Sequence, residues 1–237
     1  AALANGTVVA LPAASVARLQ VIHNAADPAA DTVDVYVNGA LLLNDFAFRT
    51  ATPYINVPAS VLLNIGVAGG NSTSANDTLK NFQVTLANGG EYIAVANGVL
   101  TPASFAANPD GASTAFTLFL QDQMREAATS TDVDFRVIHG ASDAPTVDVI
   151  ARNVATIVND AAYSNITPYI TVPASNYILD VTPAAGTPIV ATFNADLTTL
   201  GGGAAVVLAS GFLNPAANQS GAAFGLLAVL ADGTAFM

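Results

Sequence analysis

The sequence contains no cysteine and no tryptophan, and only 6 of its 237 residues are lysine or arginine. Without cysteine, the chain has no disulfide framework, no thiolate metal site and no cysteine nucleophile. Its 17 acidic residues give a net charge of −11, which opposes binding to nucleic acid and to anionic lipid. The sequence therefore excludes a disulfide-rich scaffold and argues against a nucleic-acid-binding protein.

The chain also lacks the apolar runs of membrane-spanning helices. Asn, Asp, Gly and Pro interrupt every stretch well before the ~20 residues that such a helix needs, so no membrane insertion is expected. Hydrophobic residues nevertheless make up 52% of the chain, and charged residues only 10%. Because a monomer's surface usually carries more charge, the composition predicts apolar surface that is covered by self-association into a homopolymer.

A set of short motifs occurs twice in the same order. The first copy has Val-Ile-His at 21–23, Val-Asp-Val at 33–35, Thr-Pro-Tyr-Ile at 52–55 and Val-Pro-Ala-Ser at 57–60, and the second has them at 137–139, 147–149, 167–170 and 172–175. The spacing drifts slightly, since the histidines lie 116 residues apart and the prolines 115. A repeat of this length exceeds the roughly 20 to 50 residues of a solenoid or propeller unit, so each copy should be a domain.

Each copy reads as a series of short strands. Runs of β-branched and aromatic residues are bounded by Gly, Pro, Asn and Asp, and helical periodicity is nearly absent. The dipeptide Asn38-Gly39 is typical of a tight hairpin turn. The pattern predicts an all-β protein of two tandem immunoglobulin-like β-sandwich domains of the same fold. The predicted segments are an N-terminal extension at 1–16, a first sandwich at 17–121, a linker at 122–132 and a second sandwich at 133–237.

The order of these motifs resembles the DUF4397 family, a domain of unknown function found in exported prokaryotic proteins. In the first copy the resemblance rests on Val-Ile-His-Asn-Ala-Ala-Asp-Pro at 21–28, Val-Asp-Val-Tyr-Val-Asn-Gly at 33–39, Pro-Tyr at 53–54 and Val-Pro-Ala at 57–59. The second copy matches at 137–145 and 147–149 and departs at 150–153, where the tyrosine and the Asn-Gly turn are missing. The resemblance implies an immunoglobulin-like sandwich and an exported location, and it implies no activity.

Eight positions that recur in both copies are the candidate structural positions. They are His23, His139, Asp34, Asp148, Pro53, Pro168, Tyr54 and Tyr169. Each histidine ends a predicted strand beside a turn, where an imidazole can bridge loop carbonyls. Each aspartate lies within apolar alternation, where a carboxylate bonds neighbouring backbone. The Pro-Tyr pairs predict packing at a strand edge with a satisfied hydroxyl.

A calcium ion between the domains is the alternative interpretation of the aspartates. Its oxygen ligands would come from Asp27, Asp31, Asp34, Asp143 and Asp148. However, no Asp-x-Asp-x-Asp-Gly loop is present, and one histidine per domain cannot bind zinc alone. Neither Gly-x-Ser-x-Gly nor a recognisable Ser-His-Asp spacing occurs. The sequence therefore predicts a protein that is not an enzyme and has no catalytic, cofactor-binding or metal-binding residues.

An apolar run precedes the first copy and has no counterpart before the second. It consists of Thr7, Val8, Val9, Ala10 and Leu11 and predicts an assembly strand. This strand pairs either with its own first domain or with a sheet edge of a neighbouring subunit. The small residues that begin the chain, Ala1, Ala2, Leu3 and Ala4, are those expected after removal of a signal peptide, and they predict an extracellular or cell-surface location.

These features favour a non-catalytic exported structural protein. It would be a subunit of an extracellular filament, surface layer or matrix, assembled through β-strand and apolar interfaces. The alternative is a cell-surface adhesin, or a module that binds carbohydrate or protein. Such a module would recognise a glycan or a surface protein through the polar loops at residues 71–80 and 214–220, since loops on a rigid sandwich commonly carry recognition.

Overall fold

The structure is a computed structural model, and it describes residues 14–237. The described chain is all-β, as predicted, and its only helices are four 3-10 turns of three residues each. No helix within it is long and apolar enough to cross a membrane. The predicted assembly strand, from Thr7 to Leu11, lies outside the described residues.

The first domain is a sandwich of two four-stranded sheets. Its strands are β1 (Val16–His23), β2 (Thr32–Val37), β3 (Ala40–Ala47), β4 (Ile55–Pro58), β5 (Leu62–Gly69), β6 (Thr78–Thr85), β7 (Glu91–Asn97) and β8 (Thr117–Gln121). One sheet has the strand order β4-β1-β7-β8 and the other β3-β2-β5-β6. The central strands β1 and β7 are parallel, whereas their neighbours in that sheet pair antiparallel.

The second domain repeats this arrangement and adds one short strand. Its strands are β9 (Val133–His139), β10 (Val147–Ala151), β11 (Ala155–Ala161), β12 (Ile170–Val172), β13 (Asn176–Pro183), β14 (Ala191–Asp196), β15 (Ala204–Ser210), β16 (Gly225–Leu230) and β17 (Ala235–Phe236). The sheet orders are β12-β9-β15-β16-β17 and β11-β10-β13-β14, and β9 and β15 are parallel. The prediction of two tandem β-sandwiches of one fold is confirmed.

The strand β1 shows how sequence alternation builds the packing. Leu19 and Val21 face into the first domain, where they join the core that includes Leu63 of the opposite sheet. Between them, Gln20 and Ile22 point to the other side and are also buried. Residues 19–23 of β1 are all buried. Because successive side chains in a strand point to opposite faces, this part of the strand must be covered on both sides.

The cover on the other side is the second domain. Sheets β4-β1-β7-β8 and β12-β9-β15-β16-β17, here called the inner sheets, pack face to face. We call their shared buried cluster the interdomain core. It consists of Ile22, Tyr54, Ile93, Val95, Met124, Ile138, Val206, Leu208, Leu227 and Val229. The molecule thus has four layers, with the outer sheets β3-β2-β5-β6 and β11-β10-β13-β14 at its two ends.

The interdomain core accounts for part of the unusual composition. Inner strands that are covered on both faces need apolar residues at most positions and carry few charges. Those present include Arg18 on β1 and Asp134 on β9, each of which is in an ion pair. The sequence analysis predicts that excess apolar residues are covered by other subunits. Some of them are instead buried between the two domains of one chain. The segment that joins the domains takes part, since Met124 is 3% exposed and Glu126 forms an ion pair with Arg18 at 2.6 Å.

Candidate functional site

His23 closes the end of β1 and is fully buried. Its Nε2 lies 2.7 Å from the carbonyl oxygen of Ala30, which can only accept, so Nε2 carries the proton. Phe46 stacks against the ring and Phe48 meets it edge-on. Burial lowers the pKa of His23 to about 4, although the bond to Ala30 opposes the shift. The neutral ring ties the strand to the turn at Pro28–Ala30 and is not available as an exposed base.

His139 does the same at the end of β9. Its Nε2 donates to the carbonyl oxygen of Pro145 at 3.0 Å, and Tyr163 meets the ring edge-on, as Phe48 meets His23. Burial lowers the pKa of His139 as well. One difference is the face of the ring, where the second domain has Ala161 in the place of Phe46. The two histidines are equivalent in position, and each bonds within its own domain.

Asp27 and Asp143 follow the histidines and hold loops by their backbone amides. Asp27 accepts from the N–H groups of Ala29 at 2.9 Å and Leu100 at 2.7 Å. Asp143 accepts from the N–H groups of Leu213 and Asn214, both at 2.8 Å, and also from Asn218 Nδ2. Since both oxygens of each carboxylate already accept short hydrogen bonds, this geometry favours a structural role over calcium ligation.

Asp34 and Asp148 fix an irregularity in the neighbouring edge strand. Asp34 Oδ1 accepts from the N–H of Asp45 at 2.8 Å, and Asp148 Oδ1 accepts from that of Asp160 at 2.7 Å. Asp45 and Asp160 have left-handed backbones, with φ of 53° and 52°, at breaks in the strand register. A buried carboxylate thus stabilises a β-bulge in each outer sheet. Asp31, the remaining candidate ligand, is exposed at the start of β2.

The Pro-Tyr pairs lie where the domains meet. Tyr54 belongs to the interdomain core, and its N–H donates to the carbonyl oxygen of Ala231 in the second domain. Burial raises the pKa of both Tyr54 and Tyr169. The Tyr169 ring is stacked by Arg125, whose guanidinium carbon is 4.2 Å from the ring centroid. The sequence predicts strand-edge packing with a satisfied hydroxyl for these tyrosines, and this is wrong for Tyr169, whose Oη is buried without a hydrogen-bond partner among the described residues. The structure shows instead that both tyrosines help join the domains, while Pro53 and Pro168 are exposed.

A network of buried polar side chains crosses the domain interface, and the sequence analysis does not predict it. Asn24 Nδ2 donates to Asn97 Oδ1 at 2.7 Å, and Asn97 Nδ2 donates to the carbonyl oxygen of Gly140 at 3.1 Å and to Tyr163 Oη at 2.9 Å. Asn24 and Gly140 are equivalent positions in the two copies. Because they meet at the interface, the asparagine of one copy fills the space that the other leaves as glycine. This mismatch between otherwise similar motifs was the only sequence signal.

Longer side chains reinforce the junction. Arg49 donates to Ser210 Oγ at 3.0 Å and to the carbonyl oxygen of Ala223 at 2.6 Å. Asn108 donates to the carbonyl oxygens of Ser142 and Ala144, at 3.0 and 3.1 Å. These bonds pair groups that are far apart in the chain, and together with the interdomain core they join the domains into one unit.

Gly140→Ala should lower the free energy of unfolding by about 1–3 kcal/mol, the usual cost of overpacking a filled interior. A Cβ atom there would lie 2.3 Å from Asn24 Nδ2 and 2.7 Å from the Ala209 carbonyl oxygen. Urea unfolding measures the change. Gly69→Ala is the matched control, because only Asn71 Oδ1, at 3.2 Å, approaches its Cβ position. Equal effects of the two substitutions would show that the domains do not approach this closely.

A cavity of about 190 Å³ lies between the two sheets of the second domain. Its walls are apolar apart from His139, and they include Val137, Val149, Ala161, Val181 and Phe224. Val190 and Leu213 also border it and are each 40% exposed, so the cavity reaches the surface there. The sequence difference behind this cavity is Phe46 in the first copy against Ala161 in the second, and both positions lie outside the repeated motifs.

Comparison with protein families gives one result. The model of a family described as a domain of unknown function, DUF4397, matches residues 17–150 and again residues 133–218. The two matches together cover most of the chain and agree with a tandem pair of domains. The resemblance drawn from the motifs is thereby confirmed. No curated protein matches the sequence.

Proposed function

The chain belongs to the DUF4397 family, and we propose that it is a non-catalytic exported structural protein that assembles with further copies of itself into an extracellular filament, surface layer or matrix. The observation that carries this proposal is the nature of the two outer sheets. They combine open edges with exposed apolar side chains at both ends of a two-domain unit that shares a buried core.

The outer sheets carry most of the exposed large apolar side chains of the described residues. Those on their strands or in the adjoining turns are Leu41, Leu42, Val61, Leu62, Leu79, Val154, Ile178, Ile189 and Val190. Leu41 and Leu42 belong to β3, an edge strand of eight residues without lysine or arginine, whose one charged residue is Asp45 at the bulge. Charges and bulges protect the edge strands of monomers, and in β3 both lie at Asp45. The apolar part of the edge, around Leu41 and Leu42, is therefore the part that favours contact with another chain.

The repeated polar residues support a structural role. In both domains the histidines and aspartates bond to backbone groups that hold turns and bulges in place. The interdomain core supports it further, because a building block must keep its two ends at a constant separation. Groups that are already used in this way stabilise the fold and are poorly suited to acid–base chemistry.

Charge placed on the apolar edge should prevent assembly. Leu41→Lys puts an ammonium group on an edge residue that is 49% exposed, where it costs the fold little but opposes pairing with another strand. Electron microscopy and sedimentation should show ordered polymers for the wild type and monomers for this variant. Leu120→Lys is the matched control, since Leu120 is 37% exposed on an inner sheet, and it should still assemble.

The predicted strand from Thr7 to Leu11 is the natural partner for such an edge. In this arrangement the strand of one copy pairs with β3 of the next, so deletion of residues 1–12 should abolish assembly, as Leu41→Lys does. A wild-type protein that remains monomeric at all concentrations would overturn the proposal. Polymers that persist in Leu41→Lys would show that the contact lies away from the β3 edge.

A further inference from the structure

We propose that the cavity in the second domain is a binding site for a small aromatic ring, of the size of benzene or toluene. The site is independent of assembly, because it lies between the sheets of one domain. The origin of the cavity follows from a comparison of the two domains, which have the same fold but differ at the position that fills this space, Phe46 in the first domain and Ala161 in the second.

The first domain shows what occupies the equivalent space. Phe46 follows the bulge at Asp45 and points between the sheets, where its ring stacks on His23 with the centroids 6.0 Å apart and the planes 28° apart. In the second domain the bulge at Asp160 is followed by Ala161. The strand registers agree, since Phe46 pairs with Val33 and Ala161 pairs with the equivalent Val147. The benzyl side chain is therefore missing from an otherwise corresponding position.

The walls around this position are preserved. Four pairs of equivalent side chains enclose it in the two domains, namely Val21 and Val137, Val35 and Val149, Val67 and Val181, and Phe116 and Phe224. A second difference also adds space, because Val158 stands where the first domain has Leu43. Corresponding walls without the phenyl ring leave a cavity at this position of the second domain.

Size and polarity select the ligand. An enclosed apolar cavity of roughly 150 Å³ binds benzene. This cavity, which reaches the surface at Val190 and Leu213, has a volume of about 190 Å³ and is large enough for the same ring. The single polar wall residue, His139, donates its Nε2–H to the carbonyl oxygen of Pro145, and its Nδ1 is a buried acceptor without a hydrogen-bond partner among the described residues. A bound ring can stack on His139 as Phe46 stacks on His23. Apart from His139 Nδ1, the cavity offers no side-chain partner to charged or strongly hydrogen-bonding molecules, because its other walls are aliphatic or aromatic.

Access is provided by the half-exposed border. Val190 and Leu213 line the cavity where it reaches the surface, and each is 40% exposed. Val190 follows Ile189, another exposed apolar residue, in the segment that leads into β14. A ligand can therefore enter beside these side chains without separation of the two sheets.

The test uses toluene as the probe and the full-length chain. Toluene should bind in a saturable manner with one site per chain, and NMR should show shifts of the methyl groups of Val149 and Val181. Ala161→Phe supplies the missing ring and should abolish saturable binding while raising the melting temperature. Ala155→Phe, the same change at an exposed position of the same strand, should bind toluene like the wild type.

Two further variants keep the outcome decisive. If Ala161→Phe does not fold, Ala161→Leu fills the space with a smaller group and should weaken binding. Phe46→Ala opens the equivalent space in the first domain and should add a second site per chain. Absence of saturable methyl shifts in the wild type up to the solubility limit of toluene would overturn the proposal. Binding that is unchanged in every folded Ala161 filling variant would overturn it equally.

Discussion

Leu208→Ala should lower the free energy of unfolding of the whole chain by about 2–5 kcal/mol, the range expected for a large-to-small change at a fully buried site. Leu208 is completely buried within the interdomain core, where it packs with residues of both domains. The decrease in stability has two parts: the favourable free energy of burying the deleted methyl groups is lost, and the cavity left behind costs further free energy. Chemical unfolding followed by circular dichroism gives the value.

The same variant tests whether the domains unfold together. Because Ile22 and Ile93 of the first domain pack in the same core as Leu208 and Leu227 of the second, we expect one cooperative transition that shifts as a whole. Leu120→Ala is the matched control, since Leu120 is 37% exposed and its truncation should change stability far less. Two separate unfolding transitions, of which Leu208→Ala shifts only that of the second domain, would contradict a shared core.

Acidification should destabilise the protein through His23. Its pKa is lowered by burial to about 4, against 6.5 in the unfolded chain, so the unfolded state binds more protons between these values. The stabilising contribution is therefore complete above pH 6.5 and is lost as the pH falls towards 4. At about 1.4 kcal/mol per pKa unit, the loss is about 3 kcal/mol. His139, whose pKa is lowered in the same direction, adds to it.

Urea unfolding at several pH values between 7 and 4 measures this effect. His23→Gln is the informative variant, because an amide can still donate to the Ala30 carbonyl oxygen but does not titrate. The variant should be less stable at pH 7 and should lose less stability on acidification than the wild type. Identical pH dependence of the two proteins would mean that His23 does not remain neutral in the fold.

The repeated residues show how far the sequence predicts the site. An imidazole at a strand end beside a turn, and a carboxylate within apolar alternation, have few local options, so a role in binding backbone was predictable for His23, His139, Asp34 and Asp148. The backbone partner atoms lie within about a dozen residues of each side chain, as with Asp34 and the N–H of Asp45, although Asp34 also accepts from the more distant Ser72. These local hydrogen bonds occur in both domains, and the recurrence of the same residues in the two sequence copies identifies them.

The contacts between the copies were not predictable in this way. Asn24 bonds to the Ala209 carbonyl oxygen, 185 residues away, and Arg49 bonds to Ala223, 174 residues away. Such partners are selected by how two sandwich surfaces fit together, and alternation in β1 reveals only that both of its faces are apolar. The same limit applies to Phe46 and Ala161, whose difference matters only because the walls around them coincide.

By itself the sequence determined the all-β class, the two tandem sandwiches and the family, because strand periodicity, turn residues and repeated motifs are local signals that recur along the chain. Only the tertiary structure decided that the copies share a buried core, that one asparagine and one glycine meet between them, and that the second domain keeps an open cavity. These features depend on which surfaces meet and how completely side chains fill the space between them, and packing of that kind is a property of the whole fold.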